Sequence, residues 1–252
     1  MRIAIAFRGG FSLPNDRHNG LANTGSGCQT RDALAKCLQS FKKHILACNH
    51  QHDIDIFIHS WALEIEKDFV SFLKPKKWLF ENNEIYFDYL TSLENTSRLL
   101  KKKNYTRFFS KRKIINDDFN GLSHALSLEK VSRLIIENES AGSKYDAVFF
   151  YRPDLILVKD ISFSDYQFDA ISLNGMEKLK GDFHFFVPRK FGHVFLGLLD
   201  SVAKGNYHET HEWIRRYFMN HLNINVVCDS VLPGVHQDVY RKAPKEWIKN
   251  LG

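Results

Sequence analysis

The sequence predicts an α/β domain built on one mostly parallel sheet, because strand-like apolar runs alternate with helical patterns along most of the chain. Residues 3–7 and 53–59 are short runs rich in Ile, Ala and Phe, and the second places isoleucines at the period of two that is typical of strands. Between them, apolar residues recur at helical spacing over residues 31–48, after a candidate cap at Thr30. A strand, a helix and a second strand form a right-handed crossover, so we expect the two strands to be parallel.

The alternation continues along the chain and becomes more mixed after residue 155. Apolar spacing predicts a helix over residues 118–139. The run Ala147–Tyr151 is the most strongly apolar strand of the chain, so we expect it at the centre of the sheet. Further strands are predicted at 78–80, 85–87, 155–158, 169–173, 183–187 and 224–228, and further helices at 88–102, 189–203 and 209–221.

Length and composition favour one domain that covers residues 1–252. A chain of 252 residues with 44% apolar content can bury one large core or two small ones, and one domain is the simpler interpretation. No stretch approaches the roughly 18 consecutive apolar residues that span a bilayer, and the apolar start of the chain is too short for a secretory signal. The four cysteines lack C-x-x-C pairing, which favours reduced thiols over a zinc site. We therefore expect a cytoplasmic protein.

The charge is concentrated in one segment. Net charge is +6, and seven of the thirteen residues from 101 to 113 are Lys or Arg. Such a run predicts an anionic neighbour, although a solvated face is an equally good interpretation. The neighbour expected here is an anionic membrane surface, which would make the protein peripheral to the inner face of the membrane. No nucleic-acid-binding module appears elsewhere in the sequence, so we expect no nucleic acid partner.

Polar residues follow three predicted strands at the ends where open α/β sheets bind ligands. These groups are Arg8–Gly10 after the first strand, His59–Trp61 after the second and Arg152–Asp154 after the central one. The first group opens a segment of about twenty residues without strand or helix period, which is typical of a functional loop or of a flexible surface loop. It contains neither the dinucleotide fingerprint nor a phosphate-loop lysine, which argues against NAD enzymes and P-loop ATPases.

The segment Val148–Ile161 resembles part of the GT-A-type glycosyltransferases. In those enzymes an apolar strand ends in Asp-x-Asp and continues as a second apolar run. Here Arg152 stands at the first acidic position and Asp154 at the second. Small bacterial transferases that build capsule and lipopolysaccharide are also similar, with counterparts of residues 3–10, of residues 55–61 and of the Arg-Pro-Asp-Leu element. These matches cover about a tenth of the chain directly, and their order organises nearly two thirds of it.

The resemblance implies a single GT-A-like, Rossmann-like domain. Residues 1–160 would bind a nucleotide-sugar donor and residues 161–252 would face the acceptor. The implied activity is transfer of a sugar from a UDP- or GDP-type donor to a surface polysaccharide or a lipid-linked acceptor. Two alternatives stay open: a transferase that adds a non-sugar decoration to polysaccharide, and a non-catalytic protein that binds a nucleotide or a glycan.

The candidate donor-binding residues lie at the strand ends and are Arg8, Gly9, Gly10, His59, Arg152 and Asp154. A departing nucleoside diphosphate gains negative charge, which requires fixed positive charge or a divalent cation. Arg152 can contact the diphosphate itself, while Asp154 orients it, touches the ribose or ligates Mg²⁺ or Mn²⁺. Because Arg152 stands at the first acidic position, the reaction could also proceed without a metal. The alternative for these two residues is an ion pair that closes the turn at Pro153.

The candidate catalytic residues are Asp182 and His184, which lie just before the run 185–187. In the resembled enzymes this stretch borders the acceptor, so Asp182 is expected to remove a proton from the acceptor hydroxyl if the reaction inverts the anomeric centre. His184 is the second candidate. For both, hydrogen bonding within a loop is the alternative, and for His59 it is a buried histidine bonded to backbone. Trp61 is expected to have a core role.

Overall fold

The computed structural model describes residues 1–10, 31–86, 88–90, 92, 111–142, 144–175, 184–203, 217–218, 222–224, 226–233 and 237–239. Strands and helices alternate over the first two thirds of the chain, as the sequence predicts. In chain order the elements are β1 (Arg2–Arg8), α1 (Arg31–Phe41), β2 (Asp53–Ser60), α2 (Glu66–Leu73), β3 (Lys77–Phe80), α3 (Lys111–Ser140), β4 (Ala147–Tyr151), β5 (Leu155–Leu157), β6 (Ile171–Gly175), β7 (His184–Pro188), α4 (Leu198–Ala203), β8 (Val226–Pro233) and β9 (Gln237–Val239).

Within these ranges the strands form a seven-stranded sheet with the order β3-β2-β1-β4-β7-β6-β8. The strands β3, β2, β1 and β4 are mutually parallel. The strand β7 is antiparallel to both of its neighbours, and β8 is parallel to β6. A separate antiparallel pair joins β5 to β9. The predicted α/β class, the mostly parallel sheet, its mixed C-terminal half and the central place of β4 are therefore confirmed.

Helices cover both faces of the sheet. Alternate residues of β1 face different helices, so that Ile3, Ile5 and Phe7 pack with α1, whereas Ala4 and Ala6 pack with α3. All five side chains are at most 1% exposed, as expected for an inner strand. The α1 helix contributes Leu34, Cys37, Leu38 and Phe41 to the first core, and α3 contributes Leu122, Ala125, Leu128 and Val131 to the second.

Aromatic rings fill the core under α1. The ring of Phe7 meets Phe41 edge to face at 4.8 Å between centroids, and it meets Tyr151 at 5.5 Å. Edge-to-face pairs add about 0.5–1.5 kcal/mol to the gain from burial. The three rings join β1, β4 and α1 directly below the carboxyl ends of the two strands.

The segment after β4 is fixed to α1 by one buried serine. The hydroxyl of Ser40 donates to the carbonyl of Leu157 at 3.1 Å and accepts the N–H of the same residue at 2.7 Å. Further along, the amide of Asn49 donates to the carbonyl of Ile161 at 2.6 Å and accepts the N–H of Phe163 at 2.7 Å. These bonds satisfy buried backbone groups of the segment after β4.

The structure differs from the predicted elements in several places. Residues 85–87 were predicted as a strand, but Asn83–Tyr86 forms a 3₁₀ turn. The helix predicted over 189–203 is a 3₁₀ turn, Arg189–Phe191, followed by α4, because Gly192 adopts a left-handed φ of 64° and breaks it. The elements α2 and β9 were not predicted. Most of the helices predicted at 88–102 and 209–221 lies outside the described residues.

Inside the described ranges, none of the helices combines the length and the apolarity needed to cross a bilayer.

Candidate functional site

The chain changes its direction across the sheet between β1 and β4. From β1 it passes through α1 to β2 and then to β3, each one step further from the centre. It then returns through α3 to β4, on the other side of β1. The two connecting helices lie on opposite faces of the sheet. The carboxyl ends of β1 and β4 therefore flank a topological switch point, which is where open α/β sheets bind ligands.

Four of the predicted site residues meet at this edge of the sheet. Phe7 pairs with Tyr151 in the parallel ladder, so Arg8 and Arg152 follow neighbouring strands at the same level, with the strands about 4.8 Å apart. Arg8 itself pairs with His59 at the end of β2. On the other side of β4, His184 begins the antiparallel β7 and pairs with Tyr151.

Arg8 and His184 point to opposite faces of the sheet. The guanidinium of Arg8 lies 4.9 Å from the ring centroid of Phe185 and contacts Nε2 of His124 in α3. The ring of His184 instead lies 5.2 Å from the ring of Phe149, within the core under α1. Arg8 is 2% exposed and His184 is fully buried. The two residues therefore belong to different halves of the edge.

Arg152 and Asp154 form a two-point ion pair. The Nε of Arg152 donates to Oδ1 of Asp154 at 3.0 Å, and its Nη2 donates to Oδ2 at 2.7 Å. The carboxylate is 1% exposed, while 17% of the arginine side chain reaches solvent. Burial raises the pKa of the neighbouring Cys37 thiol well above its usual value, and the charge of Asp154 raises it further. The ion pair that the sequence left open as an alternative is thus present.

The described residues do not fit a divalent cation at this place. Mg²⁺ that binds together with phosphate groups is usually held by one or two carboxylates and by the phosphate oxygens. Both carboxylate oxygens of Asp154 are already bound to a guanidinium, whose positive charge repels a second cation. Within the described ranges no three His, Cys, Asp or Glu side chains converge to hold a metal. Asp182 lies outside those ranges.

A chain of hydrogen bonds links the backbone after β1 to the end of β3. The N–H of Gly9 donates to Oγ of Ser127 in α3 at 2.9 Å, so this amide is engaged by the helix rather than open to a phosphate. The same Oγ lies 2.8 Å from Nδ1 of His59. The Nε2 of His59 then lies 3.1 Å from Oε1 of Glu81.

The proton positions in this chain follow from the charge of Glu81. A hydrogen bond from His59, together with those from Lys130 and Tyr86, lowers the pKa of Glu81 to about 2. Burial lowers the pKa of His59, so the imidazole is neutral at neutral pH. A carboxylate can only accept, which places the single imidazole proton on Nε2 and leaves Nδ1 to accept from the hydroxyl of Ser127. Donation therefore runs one way, from Gly9 to Glu81.

Serine, histidine and carboxylate in contact have the composition of a hydrolytic triad, but not its accessibility. Ser127 and His59 are both fully buried. The oxygen of Ser127 also accepts the N–H of Gly9. A nucleophile needs an open approach to a substrate carbon, which this hydroxyl lacks. The three side chains can hold a backbone segment in place, but the hydroxyl of Ser127 cannot attack a substrate.

No protein-family model matches the sequence, and no curated protein matches it. Several solved structures are similar to it at low identity. The glycosyltransferase GlyE of Streptococcus pneumoniae TIGR4 matches with a TM-score of 0.43 and 8% identity, over 90% of this chain and 45% of its own. Mouse xyloside xylosyltransferase 1 matches with a TM-score of 0.42 and 8% identity, over 90% of this chain and 84% of its own. A glycosyltransferase involved in glycosylation of the major capsid of PBCV-1 matches with a TM-score of 0.40 and 9% identity, over 99% of this chain and 100% of its own. The chain thus spans under half the length of GlyE.

Aromatic side chains border the hydrogen-bonded chain. The ring of Trp61 lies 4.4 Å from that of His59 and 5.8 Å from that of Tyr86. Gly10 lies beside it, since a Cβ on that residue would be 4.0 Å from the Cβ of Trp61. Trp61 packs against the core under α3, as expected from the sequence.

Sequence reasoning missed the residues of α3, and Glu81 after β3, that complete this edge. His124, Ser127 and Lys130 are spaced three apart and so lie along one side of α3. Lys130 forms an ion pair with Glu81 at 2.8 Å. A row of polar residues on the sheet-facing side of α3, where apolar residues are expected, is a signal that could have identified them.

Proposed function

We propose that this chain is a glycosyltransferase, which moves a sugar from a nucleotide-sugar donor of the UDP or GDP type to a glycan or a lipid-linked acceptor. The observation that carries the proposal is the place of Arg8 and Arg152, which follow two neighbouring parallel strands at the switch point of the sheet. Ligands of open α/β sheets bind in that crevice.

The chemical argument is the charge of the leaving group. Bond cleavage in a nucleotide sugar leaves a nucleoside diphosphate, so negative charge grows on its oxygens as the sugar departs. Arginine is suited to this task because its guanidinium keeps its charge and binds phosphate oxygens at two points. Fixed positive charge in a site shielded from water lowers the barrier more than the same charge in water would. Arg8 carries such a charge at the end of β1, and the residue is 2% exposed.

Asp154 has a positioning role in this proposal. Its two bonds fix the plane of the Arg152 guanidinium at the end of β4. A bound Mg²⁺ or Mn²⁺ would supply a Lewis acid to the diphosphate, but the described residues do not fit one here. We therefore propose that arginine side chains carry the stabilising charge and that transfer proceeds without a metal.

The acceptor is proposed to be a surface glycan, of the capsule or lipopolysaccharide kind, at the inner face of the membrane. The basic segment 101–113 would hold the protein near anionic lipid, at about 1 kcal/mol for each Lys or Arg close to the surface. Asp182 remains the proposed base for the acceptor hydroxyl. His184 is fully buried against Phe149, so we assign it to the core instead.

Titration of the purified chain with UDP, GDP and their sugar conjugates tests the proposal, with Mn²⁺ and with EDTA in parallel. We expect one nucleotide class to bind and to raise the melting temperature in both conditions. Slow release of nucleoside diphosphate from the matching nucleotide sugar should accompany it. A chain that binds no nucleotide contradicts the proposal. Binding without any release, even with glycan acceptors present, would favour the non-catalytic binding protein, and release that needs Mn²⁺ would overturn metal independence.

A further inference from the structure

We infer that Ser127, His59 and Glu81 are positioning residues of the donor site, which hold the backbone at Gly9 through their one-way chain of hydrogen bonds. The inference rests on the proposed function, because that proposal assigns Arg8 to the donor. These three side chains come from α3, β2 and the residue after β3, so the chain ties three elements to the exit of β1.

The backbone at Gly9 needs such support. Its φ of +94° lies in the left-handed region, which residues other than glycine rarely adopt. The chain leaves the sheet at this residue, so no neighbouring strand fixes its conformation. The hydrogen bond to Ser127 spans 118 residues of sequence and ends on a helix of 30 residues. A long packed helix is a rigid support.

The α3 helix holds both parts of the exit from β1. Its His124 contacts the guanidinium of Arg8, and one turn later its Ser127 accepts the amide of Gly9. The side chain and the following backbone are therefore located relative to one element. A displacement of either by about 1 Å can lower a transferase's rate by about 100-fold.

The far end of the chain is closed by the same helix. The carboxylate of Glu81 accepts from His59, from the hydroxyl of Tyr86 at 2.7 Å and from Lys130 of α3 at 2.8 Å. Each hydrogen-bond donor and acceptor along the series from Gly9 to Glu81 thus has a partner. A buried network whose members are all satisfied is rigid, whereas one with a missing member is strained. Loss of one link should therefore be felt at Gly9.

The test compares two serine substitutions on one helix. Ser127→Ala removes the acceptor of Gly9 and the donor to His59. Ser132→Ala removes a buried hydroxyl that bonds only within α3 in the described contacts, to the carbonyl of Leu128 at 2.8 Å. We expect the first to weaken binding of UDP or GDP, whichever the wild type prefers, by about tenfold, and the second to stay within about twofold. Equal affinities of the two variants would overturn the inference.

A pair of substitutions at His59 gives an independent readout. His59→Asn keeps a polar group near the place of Nδ1 and can still meet Ser127, whereas His59→Gln reaches towards Glu81 and loses Ser127. If the hydrogen-bonded series acts by holding Gly9, the glutamine variant loses more nucleotide affinity than the asparagine variant. The reverse order would show that the link to Glu81 alone matters.

Hydrogen exchange of the Gly9 amide separates this inference from the proposed function. Ser127→Ala should raise the exchange rate of that amide by at least about tenfold, and Ser132→Ala should leave it unchanged. Faster exchange in a protein that binds no nucleotide would retain the hydrogen-bonded chain and refute its role at a donor site. An unchanged rate in Ser127→Ala would refute the chain itself.

Discussion

The carboxylate of Asp154 accepts two hydrogen bonds from the guanidinium of Arg152, from Nε at 3.0 Å and from Nη2 at 2.7 Å. The two residues are separated only by Pro153, whose ring restricts the turn between them. The acid is almost fully buried and the arginine reaches solvent along one side. The pair therefore fixes the direction of a positive group at the end of the central strand.

Loss of the acid should impair transfer more than folding. Asp154→Ala leaves the guanidinium without its fixed plane, so we expect the rate of nucleoside diphosphate release to fall by about 100-fold or more. The free energy of unfolding should fall by about 1–3 kcal/mol, because a buried charge-assisted bond is lost while Arg152 can still reach water. Initial rates and urea unfolding measure the two effects.

Asp160→Ala is the matched control for that variant. This acid lies a few residues further along the same segment, is 64% exposed and bonds to His44 at 2.8 Å. An exposed pair of this kind contributes about 0–1 kcal/mol. The control should keep nearly full turnover. Near-normal turnover in Asp154→Ala would remove this pair from the site.

Strong local patterns account for the parts of the fold that the sequence predicts. The strands β1 and β4 are short apolar runs that are almost fully buried, and β2 carries isoleucines at a period of two, so local sequence identifies all three. The helix α2 has only eight residues, of which Phe69 and Leu73 are buried. Two buried positions are too few to reveal a helical period in the sequence. The strand β9 exists because it pairs with β5, a contact between distant segments that local composition does not encode.

The candidate site shows the same division. Strand-end logic identified Arg8, His59 and Arg152, because the carboxyl ends of neighbouring parallel strands meet at one edge. Their partners were missed, since Ser127 is 68 residues away from His59 in the chain and its spacing is that of any helix residue. For Arg152 and Asp154 the sequence allowed both a ligand contact and a local pair, and only the geometry showed the pair.

The two arginines of β1 should differ in their effect on nucleotide binding. Arg8 lies at the carboxyl end near the proposed donor, whereas Arg2 lies at the other end and pairs with Asp55 at 3.0 Å. Lysine cannot reproduce a two-point phosphate contact. Arg8→Lys should therefore raise the dissociation constant for the preferred nucleotide by about tenfold. Arg2→Lys should change it by less than about twofold, by calorimetry. Equal effects would argue that Arg8 only supports the sheet.

The hydrogen bonds that link Gly9 to Glu81 should make the free energy of unfolding depend on pH. The folded state lowers the pKa of Glu81 from 4.5 to about 2, so its contribution is complete above pH 4.5 and is lost as pH falls towards 2. We expect a loss of about 2 kcal/mol, after allowance for partial exposure of the carboxylate. His59, whose pKa is also lowered, adds a loss that begins as pH falls below 6.5.

Urea unfolding between pH 7 and pH 3 measures this dependence. Glu81→Gln should flatten the acidic part of the curve, because a neutral amide has no proton to gain. Glu137→Gln is the control, since that acid is 61% exposed on the outer side of α3 and bonds to Lys77 at 3.3 Å. Its curve should match that of the wild type. A wild-type curve that is flat below pH 4.5 would contradict the assignment of Glu81.

The two candidate catalytic residues should separate by what they change. As a general base, Asp182 would act only in the chemical step, so Asp182→Asn should lower kcat by about 10²–10⁴-fold and leave the donor dissociation constant unchanged. His184 is buried against Phe149, so His184→Ala should instead lower the free energy of unfolding by about 2–4 kcal/mol. His184→Phe, which keeps the ring, should restore part of that stability and most of the turnover. If His184→Phe folds normally but loses turnover as completely as Asp182→Asn, the histidine is the proton acceptor and its assignment to the core is wrong.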